Sequence, residues 1–308
     1  MNKYKYLLTL LFSIISVPQA FASETLKLQK VTDDVYAIVG EIGNRTPENL
    51  GNNATFGLVI TSEGVVLIDS GGTYKGAKEI HRLIRSITEK PVTIVINTGG
   101  QDHRWFGNDY FKEQGARLIA SKKAVEDQKA RTQDQFIRIG SLVGEEGLSG
   151  TDAVYAEETF DKQLKFESGG IKFEIYHTGQ AHTPGDSFLW LPQKKVMFTG
   201  DIVYTQRMLS VGSHSNSKSW IDVYQSMAAY QPDHIVPGHG EATDLARANA
   251  DTYDYLSFLR KTVSAFIENG GDITDIGSID QSKFSYLLNH ENLAGRNAQA
   301  VYTELEWE

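Results

Sequence analysis

Four short apolar runs, each breaking off at a polar, glycine-rich turn, constrain this chain more than any other feature. Val65–Ile68 (VVLI) stops at Asp69-Ser70-Gly71-Gly72 and Val92–Ile96 (VTIVI) at the loop 97–108. Lys195–Thr199 stops at Gly200-Asp201, and His234–Val236 at Pro237-Gly238-His239-Gly240. Short runs of consecutive apolar residues suit strands buried on both faces. Helical patterns lie between them. Residues 75–88 set Ala77, Ile80, Ile84 and Ile87 on one face and Lys78, Glu79 and Arg82 on the other. Residues 121–138 read as a polar helix, and Ser217–Tyr230 as a helix capped by Ser217 or Ser219. Residues 241–268 read as one long amphipathic helix. Strands alternating with helices imply an α/β fold with helix-covered sheets. Polar residues gather at the carboxyl ends of the strands, where such folds place ligands. Residues 139–165 carry no clear pattern, and the tail from 272 reads as short helices. With no linker in sight, 23–308 reads as one domain with a helical C-terminal extension.

Residues 1–22 read as a secretory signal. Lys3 and Lys5 precede a short apolar run, Leu7 to Val17, and Ala20-Phe21-Ala22 offers a small-x-small cleavage site. The run is shorter than the roughly 20 residues a membrane span needs, so no span is expected after cleavage. The expected location is outside the cytoplasm, periplasmic if the cell is Gram-negative. With 30 Lys and Arg against 39 Asp and Glu, the net charge is −9. A body this acidic repels phosphate backbones, so nucleic acid is not an expected partner. The chain has no Cys, which removes disulfides, thiolate ligands and Cys nucleophiles.

Five segments in order, VLIDSGG at 66–72, NTGGQDHRWFGN at 97–108, GQAHTPGDSF at 179–188, VMFTGDIV at 196–203 and IVPGHGEA at 235–242, resemble the metallo-β-lactamase-fold hydrolases. The style, including RNAQAVYTELE at 296–306, is similar to the exported branch called quinoprotein relay system zinc metallohydrolases. The resemblance implies an αββα four-layer sandwich with a metal site at one edge of two sheets. It implies His182 as a ligand of a first metal, Asp201 as a carboxylate bridging two metals, and His239 as a ligand of a second. It also implies Asp69 as a buried brace behind the ligand loop. Imidazole and carboxylate are ligands that hold Zn²⁺ with a position left open.

The family's loop reads N-T-H-x-H-x-D-H-x-x-G-N, and this chain departs from it inside equal-length ends. Gly99 and Gln101 stand in place of the first two His, His103 in place of Asp, and Arg104 in place of the third His. A register slipped by one instead sets Asp102-His103 on the family's Asp-His pair. Glycine offers no ligand atom, and Arg carries a fixed positive charge. Three arrangements follow. One metal is held by His103, His182, Asp201 and His239. Or His182, Asp201 and His239 hold one metal, Asp102 or His103 orients its water, and Arg104 replaces the second cation. Or no metal binds, and Arg104 pairs with Asp201. The expected function is an exported hydrolase with an altered, mononuclear zinc site, in which Asp102 and Arg104 assist catalysis. Its substrate is a small molecule, and Arg104 would suit an anionic one. The alternative is a catalytically inactive, metal-free binding protein that retains the fold. Trp105 and Phe106 read as core anchors of the loop, and Gly99-Gly100 is no phosphate loop because no Lys-Ser/Thr follows.

Overall fold

The computed structural model describes residues 25–308; the expected signal at 1–22 lies outside the described residues. Strands β1 (Leu26–Thr32), β2 (Val35–Gly40), β3 (Thr55–Ile60) and β4 (Val65–Ile68) form an antiparallel meander. Helix α1 (Tyr74–Arg85) then crosses to β5 (Val92–Asn97), which pairs parallel with β4. Two short helices, α2 (Asp102–Trp105) and α3 (Asn108–Glu113), lead to β6 (Arg117–Ser121), parallel to β5. Helix α4 (Lys122–Leu148) and β7 (Glu158–Phe160) complete a seven-stranded sheet. The second sheet holds β8 (Gln163–Ser168), β9 (Ile171–Tyr176), β10 (Phe188–Leu191), β11 (Val196–Phe198) and β12 (His234–Val236). Helices α5 (Ser217–Ala228), α6 (Leu245–Ala248), α7 (Asp254–Glu268) and α8 (His290–Leu305) follow.

Side-chain alternation along the strands builds four layers. In β4, Val65 and Leu67 face α1 while Val66 and Ile68 face the other sheet. In β10, Leu189 and Leu191 meet that same inter-sheet core, and Phe188 and Trp190 join the cluster of Trp220, Leu259 and Val301 from α5, α7 and α8. The central strands of both sheets are thus apolar on two faces, which is why β4, β5 and β10–β12 read as continuous hydrophobic runs, whereas β1, β8 and β9 at or near the edges alternate. The result is the expected αββα sandwich. The β10–β11 hairpin is also as read, with Leu189 opposite Phe198.

Three local expectations are corrected. The cap of α5 is Asn216, whose side chain accepts from the Ser219 amide, while Ser217 bonds Glu304. The helix read through 121–138 runs on to Leu148, with a non-helical kink at Gly144. The helix read over 241–268 does not begin at 241: Thr243 pairs with Ile235, and α6 starts after the Asp244 cap. A π-helical turn over Asn249–Tyr253 then separates α6 from α7. There Asp251 accepts from the Gln206 amide and Arg247, and Thr252 bonds Tyr204 at both its amide and its carbonyl. The widened turn serves these ties to the 204–206 loop, a demand that apolar periodicity does not report.

Candidate metal centre

The site assembles where strands end. Beyond β4, Asp69 adopts φ 67, a left-handed conformation uncommon for a residue with a side chain. Its carboxylate accepts from the Thr98 amide (2.7 Å) and hydroxyl, so it ties β4 to the start of the loop after β5. That loop is fixed further by reciprocal amide bonds between Asn97 and Asn108, and by Gln128 and Gln135, which donate to the carbonyls of Gly99 and Gly100. Trp105 and Phe106 anchor it against Ile139 and Val143. Gly99 has no room for a side chain: a Cβ there would lie 2.4 Å from Asp186 Oδ1. Where the resemblance puts a histidine, the chain packs a carboxylate from the 182–186 loop.

Arg104 lies at the centre of this arrangement with no exposed surface. Nη1 donates to the Thr55 carbonyl (3.1 Å) and Asp69 (2.9 Å). Nη2 donates to Asp201 Oδ1 (2.6 Å) and the Gly238 carbonyl (2.9 Å), and Nε to Asp201 Oδ2 (3.2 Å). A guanidinium has five N–H donors, and all five are taken by the protein. Arg104 therefore has none left for a substrate, the anion-holding role its sequence position suggested. Its charge instead faces two buried carboxylates. Burial raises Asp69, whereas Asp201 is held well below the usual carboxylate range, against its own burial, by Arg104 and His103.

His103, Asp201 and His239 come together, each offering a ligand atom within 4.8 Å of the others. His103 Nε2 is 3.1 Å from Asp201 Oδ2, and His239 Nε2 is 3.2 Å from Oδ1. The imidazole rings meet edge to face at 5.1 Å. His239 Nδ1 lies 2.8 Å from the Asn53 carbonyl, which can only accept, so the proton sits on Nδ1. Burial and Arg207 hold this imidazole well below its ordinary pKa. Neutral His239 then turns an Nε2 lone pair toward a carboxylate oxygen, and two acceptors face each other. A cation between them resolves that contact. His103 Nδ1 stands between Asp102 Oδ1 at 3.2 Å, an acceptor, and the Arg45 guanidinium, a donor. Where Nδ1 donates to Asp102, His103 presents Nε2 as a lone pair to the same place; where Nδ1 accepts from Arg45, Nε2 carries the proton toward Asp201. An ionised carboxylate accepts at about four lone-pair sites. Arg104 uses two on Asp201, and two remain on the histidine side. The donor set thus fits one divalent ion, with a guanidinium fixed on its far side.

The other expected site residues are placed differently. His182 lies outside the three-residue cluster. Its Nδ1 donates to the Ser210 carbonyl (3.1 Å), and its ring packs near Tyr204 and Trp220. That leaves Nε2 unprotonated on the wall of a cavity of about 1360 Å³ that also reaches His103 and His239. Asp102 is fully buried behind His103. Oδ1 accepts from Arg45 and from the His103 amide (2.7 Å), and Oδ2 has no partner. The sequence reading missed Arg45 and Arg207, which flank the two histidines, and Asn53, which orients His239. None belongs to a motif; the topology brings the β2–β3 loop, with Arg45 and Asn53, and the segment after β11, with Arg207, to the same strand ends.

Comparison with known proteins agrees with this architecture. Residues 51–239 match the family described as "Metallo-beta-lactamase superfamily". The chain is 26% identical over 267 residues to "Metallo-beta-lactamase type 2" of Elizabethkingia meningoseptica, covering 83% of this chain and 96% of that one. It is 27% identical over 225 residues to the protein of the same name in Bacillus cereus (71% and 78%). Among solved structures it resembles a metallo-beta-lactamase from Pontibacter korlensis, with TM-score 0.60 at 22% identity over 75% of this chain and 99% of that one. It also resembles the inverting sec-alkylsulfatase Pisa1 from Pseudomonas sp., with TM-score 0.68 at 17% identity. That match covers 90% of this chain and 50% of the sulfatase.

Two outcomes follow from this geometry. Arg104→Ala leaves Asp69 and Asp201 buried without their cation, and is expected to cost about 3–5 kcal/mol in urea unfolding at pH 7. Asp186 is pushed up to about 8, first by burial and then by the charge of Asp201. Its folded pKa exceeds its unfolded one, so its contribution is fully present below the ordinary carboxylate pKa and fades as pH rises through 8. Asp186→Asn removes that dependence. Unfolding at pH 5 and pH 9 should therefore show the variant gaining on the parent at the higher pH, by on the order of a few kcal/mol.

Proposed function

The chain belongs to the metallo-beta-lactamase superfamily, whose members are typically metal-dependent hydrolases that bind zinc and act on small molecules, and from that premise we propose that it is a hydrolase with a single-metal site. His103, Asp201 and His239 would hold the ion. The observation that carries this reading is the pair of acceptors left facing each other, the lone pair of His239 Nε2 against Asp201 Oδ1, by the proton fixed on Nδ1. When bound, Zn²⁺ supplies Lewis acidity and lowers the pKa of water from 15.7 to about 7.

The residues around the centre have separate tasks. Arg104 offsets the charge of Asp69 and Asp201 where a second cation would otherwise be needed, and it holds the Asp201 carboxylate in a fixed plane. Asn53 holds the His239 imidazole through Nδ1, and Asp102 and Arg45 hold that of His103 at Nδ1, which turns both Nε2 atoms toward the ion. His182 Nε2, unprotonated on the cavity wall, accepts a hydrogen bond from substrate or water there. We read the protein as exported, on the signal-like residues 1–22. No helix among the described residues is long and apolar enough to cross a membrane.

The rival reading, a metal-free binding protein, draws on the two-point grip of Arg104 on Asp201, which already gives that carboxylate a cation. Metal content separates the two. Chain dialysed against zinc and then against neutral buffer is expected to keep about one ion, and His239→Ala less than ~0.1. Hydrolysis across an ester, thioester and lactam panel should follow the metal and be lost on chelation. A parent chain that keeps no zinc and turns over nothing supports the binding protein, and two ions per chain contradict the single-metal site.

A further inference from the structure

The walls of the large cavity carry a charge opposite to that of the protein as a whole. The chain has net charge −9, yet five arginines line the cavity, Arg45, Arg131, Arg138, Arg207 and Arg296, against one acid, Glu304. Glu304 is occupied elsewhere, accepting from Ser217 with Arg260 at 3.5 Å. Arg131 is paired with Asp127. Arg207 is different: it is only 9% exposed and has no carboxylate partner among the described residues. Its Nη1 donates to the Gly43 carbonyl (3.1 Å), and its Nε has no partner. Arg45 is equally buried, meets Asp102 and His103 through Nη2, and also leaves Nε without a partner. Asn53 Oδ1, on the same wall, is unpartnered too. Arg138, exposed on α4, lines the cavity with no ion pair among the described residues.

A buried guanidinium without an anion is costly. Arg207 is such a group, and the positive wall it shares with Arg45 and Arg138 suits negatively charged oxygen. Arg45 lies against Nδ1 of His103, and Arg207 Nη1 is 3.5 Å from Nδ1 of His239, so both stand beside the candidate metal centre, behind the two imidazoles. Local charge also specifies the anion. Asp69 and Asp201 are faced by Arg104, and Asp102 answers Arg45. The charges of Arg207, Arg138 and Arg296 remain, the last two at exposed positions, and a dianion answers more of that charge than a lone carboxylate does.

We propose that Arg45, Arg138 and Arg207 form an oxyanion subsite that holds a doubly charged group of a small molecule, a phosphate being the simplest, against the His103–Asp201–His239 centre. That the bound molecule is a substrate rests on the hydrolase reading; that the subsite binds a dianion does not.

The test uses the full chain, stripped of metal by chelator and dialysed into phosphate-free buffer at pH 7.5. Thermal unfolding is followed with added inorganic phosphate or acetate at matched ionic strength. Phosphate is expected to raise the Tm by a few degrees, as a ligand of the folded state does, and acetate to leave it unchanged. Arg207→Gln removes an uncompensated buried charge. Its Tm without ligand should therefore equal or exceed that of the parent, while its apparent phosphate Kd weakens at least about tenfold. Arg138→Gln, at an exposed position on α4, provides the second variant should Arg207→Gln fail to fold, and should weaken phosphate at least about threefold. A parent that ignores phosphate, an equal response to acetate, or full phosphate binding in the folded variants each overturns the proposal. A chain that ignores phosphate but keeps one zinc defeats the subsite and spares the metal centre; the reverse result defeats the metal centre and spares the subsite.

Discussion

The contact on which the site depends is a guanidinium closed between two carboxylates. Arg104 sits at zero exposure with Asp69 on one side and Asp201 on the other, and its remaining donors reach the Thr55 and Gly238 carbonyls. Those partners come from the ends of β4, β11 and β12 and the start of β3, so one side chain joins strand ends of both sheets. A charge this deep is tolerable only because each N–H has a partner and two anions face it. Those anions are tolerable for the same reason. Deleting either partner leaves an unpaired buried charge, so the residues are coupled in energy as well as in space.

The same arrangement bears on what the centre can hold. With Arg104 on one edge of Asp201, the histidine edge is the one left open. The Gly99 position, where the resemblance implies a histidine, is closed by Asp186, and His182 is drawn toward Ser210 and the Tyr204 and Trp220 rings. What the chain lacks in ligands on that side it supplies in arginines around the cavity. Fixed guanidinium charge around a cavity favours binding a small molecule through an anionic group.

Much of the fold was legible because burial on both sheet faces demands consecutive apolar residues, and VVLI, VTIVI and HIV supply them. Asp201 and His239 were legible because each closes such a run with a polar residue in a tight glycine turn. His103 emerged only as one possible substitute inside an altered loop. Arg45, Asn53 and Arg207 could not be read at all: they lie in irregular segments, and their nearness to the histidines depends on long-range packing. The π-helical turn at Asn249–Tyr253 was hidden for a related reason, since hydrogen bonds from Asp251 and Thr252 to a distant loop impose it. Arg104 was visible as a departure from the family loop, and its pairing with Asp201 was one of the arrangements that loop offered; its contact with Asp69 was not. Whether an arginine reaches outward to a substrate or inward to buried carboxylates depends on which way the backbone aims it.

The central claim is that one divalent ion sits on the histidine side of Asp201 while Arg104 keeps the other side. Crystals grown with excess zinc, with anomalous scattering recorded above and below the zinc edge, test it most directly. The account predicts a single anomalous peak within ligand distance of His103, Asp201 and His239, with both Arg104–Asp201 contacts intact. Two peaks, a peak that displaces Arg104, or a centre holding only solvent would contradict it.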